Sequence, residues 1–161
     1  MNFCLRLVMA IAALLLVLAM TSGCGGHQPR QIRGELPTID LDSLTRLNGR
    51  IQVDIGIRNL NDSPLDVTSI HIVLTVNEHA TTELANEQLG LTIGARGREV
   101  IRLTGQDNTS LQEHLEMLAS GERASLPWSM TIDLGRGDRR DRQTEASGYL
   151  HSVPGQPDRF R

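Results

Sequence analysis

Ile51, Val53, Ile55 and Ile57 alternate with Gln52, Asp54, Gly56 and Arg58. Successive side chains of a strand point to opposite faces, so this period of two requires a strand with one buried and one solvated face. One such strand cannot bury its apolar face alone, and the chain supplies partners. Leu65 and Val67 share one parity, whereas Ile70, Ile72, Leu74 and Val76 share the other. A slip of one residue turns every later side chain to the other face, so a bulge or kink is expected at Thr68-Ser69. Ala124, Leu126, Trp128, Met130, Ile132 and Leu134 repeat the alternation further on.

Weaker signals fill the gaps. Ile39, Leu41 and Leu44 follow Pro37 and predict a first strand at a sheet edge. Asn59-Leu60-Asn61-Asp62-Ser63-Pro64 is a dense run of turn formers, and Asn77-Glu78-His79 reads as a tight turn. Ala80 to Gln88 is a weaker strand, Leu89 to Ile93 a short one, and Glu99 to Thr104 another, with Ile101 and Leu103 facing inward. Gly135 to Arg142 reads as a charged, exposed loop before a last strand around Thr144 to His151. The period changes once. Ser110 and Glu113 fit a capping box, Leu111, Leu115 and Leu118 share a helical face, and Gly121 suits the left-handed position after a helix, giving a short helix over about 111–120. The expected fold is mainly β: an antiparallel β-sandwich of fibronectin-III or immunoglobulin-like type with one short helix, spanning residues 36–151, followed by a tail at 152–161.

The N-terminus carries an address. Leu7 to Met20 is apolar without interruption, and Arg6 is the only charged side chain before Cys24. Those 14 residues make a helix of about 21 Å, too short for a bilayer core of about 30 Å and suited to a signal-peptide core. Thr21-Ser22-Gly23-Cys24 follows directly. This resembles the lipobox of bacterial lipoproteins, with Thr21 standing where Leu is preferred. The resemblance implies cleavage of residues 1–23 and a diacylglyceryl thioether on Cys24, whose new amine is acylated. Gly25 in place of Asp favours the outer membrane over the inner. Residues 24–35 then form the lipidated cysteine and a flexible tether, rich in Gly, Pro and charge.

Removal of the leader leaves 138 residues (161 − 23), the size of one domain. They carry 15 Arg, no Lys and 19 acidic residues, a formal charge of −4. That balance argues against nucleic acid as a partner. Cys24 is the only cysteine of the mature part, so an intrachain disulfide is excluded and the core must hold the domain. Aromatic residues there are limited to Trp128, Tyr149 and Phe160, too few for a stacking platform.

No catalytic pattern emerges. His27, His71, His79, His114 and His151 have no metal-ligand spacing. Asp40 and Asp42 share a strand face without a motif around them, and neither a Gly-x-Ser-x-Gly elbow nor a phosphate-binding glycine loop is present. Arg136-Gly137-Asp138 spells an integrin-binding tripeptide, read here as coincidence within a solvated turn. Trp128 belongs to the apolar parity of its strand and is expected in the core. Asn59 and Asn61 are expected to bond local backbone. No cofactor, metal or small-molecule substrate is expected.

The order of these segments resembles the LEA type 2 family, also called the LEA14-like or water stress and hypersensitive response (WHy) domain. The match runs from Ile51 through Asn59-Leu60-Asn61-Asp62-Ser63-Pro64-Leu65 and Val67 to Asn77. Leu60 replaces the proline of the family's Asn-Pro-Asn, and Glu78 replaces the glycine that follows Val76-Asn77. The resemblance covers about residues 36–151. It implies a β-sandwich with a helix and a role in desiccation or general stress tolerance, with no catalytic residue to carry over. The expected protein is a non-enzymatic, lipid-anchored envelope protein that shields envelope proteins or the membrane. The alternative is an adaptor or assembly lipoprotein that binds one protein partner through a sheet edge.

Overall fold

The computed structural model describes residues 31–136 and 139–161. The leader, Cys24, His27 and most of the expected tether lie outside them, as do Gly137 and Asp138. Among the described residues no helix is long and apolar enough to cross a membrane.

Among the described residues, eleven strands and one helix follow in the order β1 (Thr38–Leu47), β2 (Arg50–Arg58), β3 (Leu65–Val67), β4 (Ser69–Val76), β5 (Ala80–Asn86), β6 (Leu91–Ile93), β7 (Arg98–Gln106), α1 (Thr109–Ala119), β8 (Leu126–Arg136), β9 (Arg139–Leu150), β10 (Ser152–Val153) and β11 (Gln156–Phe160). They form a five-stranded sheet β10-β11-β1-β2-β7, a four-stranded sheet β5-β4-β8-β9 and a small pair β3-β6. All pairings are antiparallel. The architecture is the mainly β sandwich with a single short helix that the alternation demanded. Ile51, Val53, Ile55 and Ile57 from the larger sheet meet Ile70, Ile72, Leu74 and Val76 from the other, all fully buried in one core.

The parity slip has a clear cause. β3 pairs with β6 through Leu65–Ile93, whereas β4 begins at Ser69 opposite Gly135. Thr68 lies between, its N–H donating to the Gly135 carbonyl (2.9 Å) and its carbonyl accepting from Leu89 N–H (2.9 Å). The chain therefore changes sheets at Thr68, and the change of face accompanies the change of partner.

Four expectations need correction. β1 is an edge only over its first half, because β11 pairs with it at Leu44 and Thr45. A bulge between Leu41 and Ser43 lets Ile39 and Leu44 both face inward despite their opposite parity. The residues after His151, expected as a tail, form β10 and β11, and Phe160 is fully buried. The helix is capped by Asn108 rather than Ser110. Asn108 Oδ1 accepts from Leu111 N–H (2.9 Å) while its Nδ2 donates to the Thr81 carbonyl (2.9 Å), so this cap also fastens the helix to β5. The expected loop at Gly135–Arg142 is largely strand, since β8 pairs with β9 as far as Arg136–Arg139. Gly135 is buried against Ser69, leaving no room there for a side chain.

As expected, Leu111, Leu115 and Leu118 form the buried face of α1, and Gly121 is left-handed at φ +79°. The β4–β5 turn places Asn77 and Glu78 at φ 50° and 67°. A side chain in this region costs about 1–2 kcal/mol relative to glycine, partly offset by glycine's greater freedom in the unfolded chain. Glu78→Gly is therefore expected to stabilise the domain by about 1 kcal/mol, raising Tm by a few degrees in a thermal melt. A lowered Tm would contradict the role of the turn geometry.

Candidate functional site

The polar residues assemble in three places. The first is the turn after β2. Asn59 is fully buried. Its amide Nδ2 donates to the carbonyls of Ser63 (2.8 Å), Gly94 (3.0 Å) and Ile93 (3.3 Å). Its Oδ1 accepts from Asn61 N–H (3.0 Å) and Asn61 Nδ2 (3.1 Å). One amide thus joins two loops, 59–64 and 93–97, adding to the two backbone bonds between them, Asn59 N–H to the Gly97 carbonyl (2.9 Å) and Arg96 N–H to the Asn61 carbonyl (3.0 Å). The expected local role of Asn59 and Asn61 is present, with an extension across the fold.

Asn61 also grips the segment that precedes β1. Its Oδ1 accepts from Glu35 N–H (2.9 Å) and its Nδ2 donates to the Glu35 carbonyl (2.9 Å), a side chain imitating a strand neighbour. Asp62 makes a second reciprocal pair: its Oδ2 accepts from Ile32 N–H (2.6 Å), and its own N–H donates to the Ile32 carbonyl (3.0 Å). Arg96 donates to Asp62 Oδ1 (2.7 Å). That guanidinium, followed by the Ile32 amide, holds the Asp62 carboxyl below the usual carboxylate range. Residues 32–35, expected to be flexible, are clasped to the domain.

The second assembly covers the outer face of the five-stranded sheet. Asp54 lies on the solvated parity of β2 yet is almost covered. Arg102 Nε donates to Asp54 Oδ1 (2.8 Å) and Ser43 Oγ to Oδ2 (3.0 Å). The Arg102 bond is the largest cause holding this carboxyl below its ordinary range, against burial that would raise it. A depressed folded-state value means stabilisation that is present above the ordinary carboxylate range and lost as pH falls through the depressed value. Asp54→Asn should therefore cost most at neutral pH, and its difference from wild type should shrink below about pH 4. Urea unfolding at pH 7 and pH 3 checks this, and an equal difference at both would remove Asp54 from the acid response. On the same face Arg98 lies over Gly56, where a Cβ would strike its guanidinium, and pairs with Asp42.

The third assembly lies at the opposite end, beside α1. Arg46 joins Glu116 (2.6 Å) and Asp158 (2.8 Å) and lies 5.9 Å from the Phe160 ring centre. A groove of about 550 Å³ runs here, lined by Asp107, Glu113, Glu116 and Asp158 among others. Its excess of carboxylates would favour a cation, but no group of three metal-ligating side chains comes together among the described residues.

The histidines among the described residues remain apart. His71 lies between Glu83 (3.8 Å) and Asp133 (3.9 Å), His114 bonds Asn77 (2.9 Å), and His151 bonds the Ala124 carbonyl (3.1 Å). Trp128 is half-buried against the core with its indole over Gly148, the residue opposite it on β9. Sequence patterns missed the Arg46–Glu116–Asp158 group and the clasp, because both join residues far apart in the chain.

No protein-family model matches the sequence, and no curated protein matches it significantly. Among solved structures the chain is similar to a protein from Archaeoglobus fulgidus, with 12 % identity and a TM-score of 0.45 over 74 % of this chain and 98 % of that one. It is similar to a protein of Arabidopsis thaliana, with 12 % identity and a TM-score of 0.45 over 78 % of this chain and 92 % of that one. A third similar structure is of a protein described provisionally as late embryogenesis abundant (LEA), with 11 % identity and a TM-score of 0.40 over 94 % of this chain and 91 % of that one.

Proposed function

We propose that this is a non-enzymatic, lipid-anchored envelope protein, attached through Cys24 to the outer membrane, that protects envelope proteins or the membrane under desiccation or general stress. The observation that carries this reading is the Asn59–Asn61 turn. The residues that bear the family resemblance are those that knit the loops at one end of the sandwich. A folded sandwich acts through its surface, and this one carries paired charges on the outer face of its five-stranded sheet. The test is to dry a labile enzyme with the soluble part, residues 25–161, beside an inert protein of equal mass. Better recovery of activity than with the inert protein is expected, and equal recovery would count against shielding.

A second reading has its own support. β9 is 12 residues long and, among the described residues, pairs only with β8. A free edge of that length accepts a partner's strand. Crosslinking in intact cells separates the two readings: one stoichiometric partner favours an adaptor, whereas many weak partners favour shielding.

A further inference from the structure

Arg159 is a half-buried guanidinium without a counter-charge among the described residues. Arg46, Arg96, Arg98 and Arg102 each meet a carboxylate, whereas no carboxylate comes within ion-pair distance of Arg159. Its Nη2 donates to Ser43 Oγ at 3.5 Å, and its Nε is enclosed with no hydrogen-bond partner. A guanidinium carries several N–H donors, and a charge partly withdrawn from water is costly unless it is paired. An unmet buried donor in a stable fold calls for an explanation, and an ion that completes it is one of the few available.

The sheet register sets a hollow of about 350 Å³ beside this group, lined by Thr45, Gln52, Asp54, Arg102, Gln156 and Arg159 among others. Arg159, Thr45 and Gln52 form one row across β11, β1 and β2, and Ser43, Asp54 and Arg102 form the next across β1, β2 and β7. Each row ends in an arginine that lines the same hollow. Two carboxylates also border it, and both are already committed. Asp54 accepts from Arg102 and Ser43, and Asp158 accepts from Arg46 (3.0 Å). Arg102 holds Asp54 through Nε and Nη2, which leaves its Nη1 without a partner among the described residues. We propose that this hollow on the outer face of the five-stranded sheet binds a phosphate oxyanion between Arg159 and Arg102, with Thr45, Gln52 and Gln156 as further donors. A planar guanidinium offers paired N–H groups to phosphate oxygens, so two of them suit this ligand better than two ammonium groups would. The site does not depend on lipid at Cys24. A phospholipid headgroup and a soluble phosphate carry the same chemistry to it.

The test follows the arginine Nε–H signals of isotope-labelled protein by NMR as sodium phosphate is added, with chloride holding the ionic strength constant. The Arg159 and Arg102 signals are expected to shift together and to saturate. Those of Arg50 and Arg58, exposed on the same face of β2, should stay in place. Arg159→Gln should weaken binding about tenfold or more. That substitution sits beside the buried Phe160, so a second pair of variants keeps the site testable if β11 is disturbed. Thr45→Glu sets a carboxylate opposite Arg159 in the register, where it stands in for the phosphate. It should melt above Thr45→Gln in phosphate-free buffer and show no response to phosphate. Parallel drift of all four arginine signals without saturation would overturn the proposal, as would equal melting of the Glu and Gln variants. A water-soluble, short-chain phosphatidylglycerol then identifies the source. If it moves the Arg159 and Arg102 signals at lower concentration than phosphate does, the natural oxyanion is a lipid headgroup; otherwise it is a soluble phosphate.

Discussion

Asn59→Ala is expected to be among the most destabilising single substitutions in the domain, by about 3 kcal/mol or more. The side chain has no contact with water; its two amide hydrogens are shared among three carbonyls, and its oxygen accepts two further bonds. Alanine removes all of them and leaves the buried partners of both loops unsatisfied, each at about 1–3 kcal/mol before relaxation. Asn59→Asp keeps the shape but turns an oxygen towards the carbonyls of Ser63 and Gly94, so it should not rescue. Urea unfolding of the two variants beside wild type measures this. Loss of less than about 1 kcal/mol would mean that water replaces the amide and that the turn does not depend on it.

Phe160→Ala is expected to cost about 3–5 kcal/mol, the range for emptying a core site of a phenyl ring. Phe160 is the second-last residue of the chain, yet it is fully buried and pairs with Leu44 across β1. Arg46 also leans over its ring, so the loss reaches the Arg46–Glu116–Asp158 group. A chain ending at His151 should be destabilised at least as much. If that truncation melted with wild type, the last strand would be an ornament on a complete sandwich.

The strands of the core were legible because burial on one face leaves a period of two in the sequence. Even the phase slip at Thr68 was visible as a defect, though only the pairing shows it to be a transfer between sheets. The last strand was not legible. Gln156–Phe160 has little alternation, and its Pro154-Gly155 turn reads equally well as the start of a tail; its partner, Leu44, is more than a hundred residues away. The helix cap was ambiguous for a local reason. Asn108 and Ser110 both offer a capping oxygen, and the choice is made by the carbonyl of Thr81 on a distant strand. For the candidate site, the self-contained part of the Asn59–Asn61 turn could be read from residue type. The grip of Asn61 on Glu35 and of Asp62 on Ile32 could not, because asparagine and aspartate in a turn give no sign of what lies beyond it.

The pairing of β1 with β11 sets an order of events. The first strand lacks one neighbour until β11 has been made, so the five-stranded sheet cannot close before Gln156–Phe160 is available to pair. Contacts that join the two ends of a chain make folding slow. The segment Ile32–Glu35 needs none of this, because its partners Asn61 and Asp62 lie in the turn after β2, far before β11.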